Sequence, residues 1–596
     1  MRTRLIRFVG TAVLLWGASF PAAADGWKLE ADDYTADYTG ASTANGMLGI
    51  LPWKEPFSIR HVVLNHVFEL NDRTGVNCAV RGIDPFSMTM RVDGREIDGD
   101  AISGWRQTID MRRAEHTTTF VADGKLRVAY SVIALRNMPY AALIDVEVTA
   151  LQDAEADFRT AMQVPEGEYR TSRRTHRSFL VDGHPTNILR TDARTAHGRY
   201  DVSASSMFIP TGEGFGYEGR DDAATLRLRL KAGETKRFTL AGAVCTTRDF
   251  SDPYSESERQ VIYIAHESVD RVLAAHRRLW DEMWQGDIEI EGDDEAQRVV
   301  RFALYNLYAS CRAGSRLSIP PMGLSSQGYN GHIFWDAELW MYPPMLLLNE
   351  GIARSMVDYR TDRLDAARRR ASAYGYRGVM FPWESDWFGE ESTPTWAITG
   401  PMEHHITADV GIAAWNYYCV TRDRGWLRTT GWPLLKEIAA FWVSRVVRND
   451  DGSYSIAGVV GADEYAMNVT DNAFTNGAAK VVLRNAVEAA RACGEKAPAL
   501  WSDIADGLRI LRDDAGVTLE HAGYAGQQIK QADVNLLGYP LGVVTDRGLL
   551  LRDLAYYDAK IDRVNGPAMA FSVFCVQYAR LGDAAKAEEM FRRCYR

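Results

Sequence analysis

Residues 225–240, TLRLRLKAGETKRFTL, and residues 258–273, ERQVIYIAHESVDRVL, lie close in the chain but follow different periods. In the first, Leu226, Leu228 and Leu230 alternate with Arg227 and Arg229, and Gly233 turns the chain into Arg237-Phe238-Thr239-Leu240. A period of two gives an extended strand one apolar and one polar face. In the second, Val261, Ile262, Ala265, Val269, Val272 and Leu273 recur at the spacing of a helix. The fold changes character between them.

Upstream of the switch, segments such as 127–135 and 141–151 are rich in Val, Ile and Tyr and end in Gly, Asp and Asn turns. They predict an antiparallel β-sandwich over residues 25–255. Gly212-x-Gly214-x-Gly216 lacks the strand-to-helix setting of a phosphate loop and reads as a hairpin. Downstream, a helical linker is expected over 256–295 and a domain of paired helices over 296–596. Helical spacing marks 295–310, 350–374, 406–421, 432–448, 475–493, 499–512 and 566–580, with Gly-, Pro- and Trp-rich connections whose loops can converge at one end. No fixed-length repeat occurs, which excludes a solenoid.

Arg2, Arg4 and Arg7, an apolar run from Phe8 to Trp16, and Ala22-Ala23-Ala24 predict a cleaved signal peptide over 1–24. The mature chain is therefore expected in the periplasm or outside the cell, without membrane contact after cleavage. The net charge of -11 argues against a nucleic-acid partner. The seven cysteines show no Cys-x-x-Cys spacing; export permits a bridge such as Cys78–Cys245, but most are expected to be buried apolar groups. His404-His405 with Asp409 lacks a third ligand at metal spacing and reads as a helix entry, so no metal or other cofactor is expected.

Of the 16 tryptophans, twelve lie between Trp280 and Trp501, several beside carboxylates, as in Trp335-Asp336 and Trp383-Glu384. Aromatic faces pack on the C–H faces of sugars while carboxylates accept from hydroxyls, so this clustering points to a carbohydrate pocket. The stretch GVVGADEYAMN, residues 458–468, places Asp463-Glu464 between glycines and an aromatic, either as a solvated turn or as an acid aimed into such a pocket.

Five motifs then carry a resemblance. Gly331-His332-Ile333-Phe334-Trp335-Asp336-Ala337-Glu338 with Pro343-Pro344, and Phe381-Pro382-Trp383-Glu384-Ser385 with Thr393-Pro394, are similar to segments of glycoside hydrolase family 65. So are His405-Ile406-Thr407-Ala408-Asp409, the run from Gly458 through Ala479, and Ile529-Lys530-Gln531-Ala532-Asp533-Val534, with Asn45-Gly46-x-x-Gly49 as a weaker sixth. The family holds hydrolases and phosphorylases of α-linked glucosides such as kojibiose, maltose and trehalose. The resemblance implies an N-terminal β-sandwich, a helical linker and an (α/α)6-barrel catalytic domain.

It also implies site residues. Glu464 takes the place of the general acid, and acid catalysis needs such a group because a departing glycosidic oxygen requires a proton. Trp335 and Asp336 take the floor of the glucose subsite, Lys530 and Gln531 reach the same ring, and Trp383 and Glu384 shape the pocket near the cleaved bond. Asp463 is expected to tune Glu464 if their carboxylates face each other; a structural alternative pairs Asp336 with Lys530. The family's general base lies downstream of a segment like 566–578, beyond Cys594-Tyr595-Arg596, so the barrel is expected to be incomplete at its C-terminus.

Export favours an inverting hydrolase of an α-glucosyl disaccharide or conjugate, because water is the only co-substrate it needs. A phosphorylase releasing β-glucose 1-phosphate, or an inactive carbohydrate-binding remnant, is the alternative. A homodimer is the expected assembly.

Overall fold

The structure, a computed structural model, describes residues 26–181 and 183–595. The expected signal segment lies outside the described residues. The chain forms a sheet-rich N-terminal region followed by a helical region.

The N-terminal region is built on a nine-stranded antiparallel sheet, a five-stranded sheet and a four-stranded sheet. The stretch 225–240 supplies two strands in different sheets. Ala223–Leu230 joins the five-stranded sheet and Thr235–Thr246 the nine-stranded one, with Gly233 in the turn between them. Leu226, Leu228 and Leu230 point into a core shared with Phe120, Val128 and Phe238. Gly212 and Gly214 make the turn between strands Asp201–Thr211 and Phe215–Arg220, which belong to the nine-stranded and the five-stranded sheet, so the run carries the chain from one sheet to the other and is not the expected hairpin.

The other face of the large sheet is covered by the first helices. Pro253–Glu267 and Val269–Met283 bury Val261, Ile264, Val272 and Leu273 against Ile133, Leu143 and Ala241. The helical spacing of 258–273 thus serves two short helices broken at Ser268, whose φ of 78° ends the first. Helix Asp294–Ser310 follows. In the helical region Ile406–Thr421 is buried on nearly every side, and Glu350–Thr361, Trp432–Arg445 and Ala473–Cys493 pack against it. A helix apolar all round belongs at the centre of such an arrangement.

The two regions share one continuous joint. Arg136, from the turn after strand Leu126–Ala134, donates to the carbonyls of Tyr308 (3.0 Å) and Cys311 (2.9 Å), satisfying the buried C-terminal end of helix Asp294–Ser310. Asn45 accepts from the amides of Met47 and Leu48 and donates to the Leu135 carbonyl, fixing a turn in which Gly46 has a φ of 89°. Gly49 faces the segment that leads from helix Asp294–Ser310 toward Trp335, and a Cβ there would lie 2.0 Å from the Leu324 carbonyl oxygen. The Asn45-Gly46-x-x-Gly49 motif is therefore a close backbone contact between the two regions.

All seven cysteines are free, Cys78 and Cys245 among them. Cys78, Cys245 and Cys311 are buried and the other four are partly exposed, so fewer of them are buried than expected.

Gly49→Ala tests the joint. The added methyl must push two backbones apart, and overpacking of this kind costs about 1–3 kcal/mol. The expected result is a lower unfolding midpoint in calorimetry, and an unchanged midpoint would show that the joint yields freely.

Candidate active site

Four segments far apart in sequence meet at one cavity of about 890 Å³, and each is placed by hydrogen bonds that can be traced.

The first two are stitched together by backbone. Ile333 and Ser385 exchange amide hydrogen bonds of 2.9 and 3.0 Å, a two-residue antiparallel bridge that sets Trp335-Asp336 beside Trp383-Glu384. The ring centroids of Trp335 and Trp383 are 6.4 Å apart, and both rings meet the edge of His405, at 5.0 and 5.3 Å. His405 is fully buried between Asp409 Oδ2 at 2.7 Å and Glu403 Oε1 at 3.1 Å. Burial alone lowers the pKa of an imidazole, but Asp409 and Glu403 outweigh it and raise His405 to about 10. Burial raises both carboxyls too, opposed in each by His405. This pair of histidine and aspartate opens helix Ile406–Thr421 and anchors the floor of the cavity.

The N-terminal region reaches in at the same point. His332 Nε2 lies 2.5 Å from the Asn77 carbonyl and its Nδ1 2.8 Å from Glu384 Oε2. A carbonyl only accepts, so Nε2 donates, and the second contact holds one proton between ring and carboxyl. Burial raises the Glu384 pKa, partly offset by His332. Asn77 Nδ2 also donates to Asp386 Oδ2 at 2.6 Å.

The third segment carries Asp463-Glu464. Val459 and Val469 pair through two backbone bonds (3.1 and 2.9 Å) and close the base of a loop with Glu464 near its tip. Asp463 is buried and accepts the Lys530 amide at 2.7 Å and the Tyr465 amide at 3.2 Å. Lys530 Nζ in turn pairs with Glu464 Oε1 at 3.0 Å, and Gln531 Nε2 donates to the Ala462 carbonyl. Lys530 and Gln531 sit in a loop, held by the bridge of Ile529 to Ile561, rather than on a helix pair.

All seven residues singled out by the sequence line this cavity: Trp335, Asp336, Trp383, Glu384, Lys530, Gln531 and Glu464. Lys530 pairs with Glu464 and not with Asp336, which removes the structural alternative. No other described residue donates a side-chain or amide hydrogen bond to the Asp336 carboxylate, and burial, ahead of the nearby Glu338 and Glu464, raises its pKa to about 6. Three carboxylates against one ammonium suit a neutral polyhydroxylated ligand rich in donors. Glu464 is 30% exposed at the wall, within reach of such a ligand.

Asp463 does not act as expected. It turns away from the cavity, and the carboxylates that bear on it are Asp533 and Glu520. Burial lifts Asp463 to about 6 and Glu520 to about 10, with Asp533 also raised. Glu520 went unnoticed in the sequence because nothing local marks an acid whose partners are more than ten residues away in the chain. His332 lay inside a quoted motif, yet its bond to Asn77 is a long-range fact that no spacing announces. Among the described residues no group of three His, Cys, Asp or Glu side chains is placed to hold a metal ion, and no helix is long and apolar enough to cross a membrane.

The comparisons agree with this arrangement. Residues 39–283 match the glycosyl hydrolase family 65 N-terminal domain, and residues 301–528 match the family's central catalytic domain. The chain is 40% identical to a kojibiose hydrolase of Flavobacterium johnsoniae, over 100% of this chain and 88% of that protein. It is 38% identical to a protein-glucosylgalactosylhydroxylysine glucosidase of Dictyostelium discoideum, over 62% of this chain and 53% of that protein. A solved structure described as a putative kojibiose phosphorylase from the human microbiome superposes with a TM-score of 0.80 at 17% identity, covering 96% of this chain and 85% of the other, and shows the fold. With both family domains matched in order and a full-length relative at this identity, the chain belongs to glycosyl hydrolase family 65.

Proposed function

We propose that this protein is an inverting glycoside hydrolase that removes the α-linked glucosyl unit of a disaccharide or glucosyl conjugate. The observation that carries the reading is the convergence of Glu464, the Trp335-Asp336 floor and Lys530-Gln531 on one cavity in a chain similar over its full length to a kojibiose hydrolase. The helical region is an (α/α)6 barrel in this reading. Helix Ile406–Thr421 packs against Glu350–Thr361, Trp432–Arg445 and Ala473–Cys493, and the last two also pack against each other.

The chemistry follows from the geometry. A glucosyl ring lies on the floor, where Asp336, free of hydrogen bonds from other residues, accepts from its hydroxyls. Gln531 Nε2 is committed to the Ala462 carbonyl, which leaves Oε1 as an acceptor toward the cavity. Lys530 holds the rotamer of Glu464 and offers further donors. Glu464 gives its proton to the departing oxygen as positive charge grows on the sugar's anomeric carbon, while water attacks from the opposite face and gives up a proton to the general base that the family resemblance sets downstream of residues 566–578. Inversion needs room for that water, with the two carboxyls about 6.5–9.5 Å apart.

Assay of the protein on kojibiose, nigerose, maltose and trehalose, with and without inorganic phosphate, tests the reaction class. Free glucose in both conditions is expected; glucose 1-phosphate formed only with phosphate would replace hydrolysis by phosphorolysis. Periplasmic or external location belongs to the same proposal, motivated by residues 1–24. Protein from the native host is expected to begin near Asp25, and N-terminal sequencing that finds Met1 retained would reject it.

Glu464→Gln keeps shape and hydrogen bonding but cannot donate a proton. Turnover of a disaccharide is expected to fall by about 10²–10⁴-fold, and that of α-glucosyl fluoride, whose leaving group needs little protonation, far less. Equal losses on both substrates would exclude the acid role.

Asp336 provides a pH test. Its carboxylate accepts hydroxyl hydrogen bonds only when ionised, and its pKa of about 6 puts that ionisation in an accessible range. As pH falls through about 6, KM is expected to rise, with the loss of a charge-assisted hydrogen bond worth about 1.5–3 kcal/mol. Asp336→Asn should raise KM at pH 7 and abolish this acid limb. A limb that survives in the variant belongs to another group.

A further inference from the structure

The cavity changes character from floor to mouth. Trp335 and Trp383 are 3% and 4% exposed, whereas Trp396, Tyr329 and Met467 at the mouth are 70%, 62% and 55% exposed. Met322 and Ile398, also exposed, line the same cavity. Exposed apolar side chains scattered singly need no explanation, but a ring of them around the opening of a carbohydrate cavity does.

Two features show that the collar is built. Tyr329 and its neighbour Asn330 both hold left-handed backbone, with φ of 53° and 57°, a conformation that costs non-glycine residues energy. That conformation presents the Tyr329 ring at the mouth, edge-on to Phe334 at 5.7 Å. The polar groups nearby are already engaged: Asn565 donates from its side chain and its amide to Asp562, and the Tyr465 hydroxyl donates to the same carboxylate. A sugar acceptor needs donors and acceptors for each hydroxyl. Methionine and isoleucine offer none, the Tyr329 hydroxyl and the Trp396 ring N–H are the few polar atoms of the exposed rim side chains, and methionine adapts its shape to apolar guests.

Resting on the hydrolase reading above, we propose that the collar receives an apolar aglycone, so that α-glucosides of aliphatic or aromatic alcohols are substrates preferred over those with a small polar leaving group. The glucosyl unit is held at the floor, Glu464 stands at the cleaved bond, and the aglycone lies against Trp396, Tyr329 and Met467.

Methyl, butyl and hexyl α-glucosides separate aglycone binding from leaving-group chemistry, because all three release a simple primary alcohol or methanol of similar acidity. Titration by tryptophan fluorescence, alongside initial-rate kinetics, is expected to show affinity rising at least about tenfold from methyl to hexyl. In Trp396→Ser and Met467→Ser the hexyl-to-methyl ratio should collapse toward one. A flat series in the wild-type protein overturns the collar while leaving hydrolysis of disaccharides intact. A gradient equally steep with the alkyl β-glucosides, or unchanged in both variants, identifies general adsorption and also overturns it. Tighter hexyl binding without turnover of any α-glucoside would sink the hydrolase reading and keep the apolar subsite.

Discussion

The 2.7 Å hydrogen bond from the Lys530 amide to Asp463 joins two segments separated by 67 residues, and the wall of the cavity depends on it. A buried carboxylate is costly unless its oxygens are satisfied. Asp463 meets that demand with two backbone amides, and Asp533 with the Phe474 amide and the Asn472 side chain. Glu520, lifted to about 10 by burial and the neighbouring acids, is a neutral acid at physiological pH and serves as donor to Asp463. Three acids can therefore share one buried space without three charges. Their shared geometry leaves Glu464, one residue on, at the cavity wall in direct contact with Lys530.

The N-terminal sheets belong to the same mechanical unit. The strand Val76–Arg81 supplies the Asn77 carbonyl that orients His332, and His332 orients Glu384. The turn at Asn45–Gly49 fixes the start of the segment that ends in Trp335. Catalytic geometry has to be held within fractions of an ångström, and a loop standing alone seldom achieves that. Here the sheet provides the rigid reference, and loops between the helices provide most of the side chains.

Local pattern carried the sequence reading well and long-range contacts limited it. Helix 406–421 was legible to the residue because its apolar content leaves no ambiguity about type or length. The expected helix over 350–374 is two helices, Glu350–Thr361 and Leu364–Ala373. Between them Arg363 donates to the carbonyls of Tyr359 and Trp387, both at 2.7 Å, taking a carbonyl that a continuing helix would use. Likewise the helix expected to reach 512 stops at Gly507, where buried Lys480 caps the carbonyls of Asp506 and Leu508. Helix Arg547–Asp558 went unread although Leu549, Asp553, Leu554 and Tyr557 repeat at helical spacing. At the site, residue identities came from motif order, while the partners that position them, Asn77 and Glu520, became visible only in three dimensions.

Floor and rim differ in how freely they can change. Each floor residue is held by another: Trp335 by His405, His405 by Asp409 and Glu403, and Glu384 by His332. Replacing any of them strands a buried polar group or opens a cavity, with a cost in stability of several kcal/mol on the order of such losses elsewhere. The rim residues Trp396 and Met467 are mostly solvated in the free protein, so exchanging them leaves the fold almost untouched. Recognition of the glucosyl unit is thus tied to folding, whereas recognition of what the glucosyl unit is attached to is not. On the proposed function, single substitutions at the mouth alter the aglycone preference while Glu464, its ammonium partner and the aromatic floor stay in place.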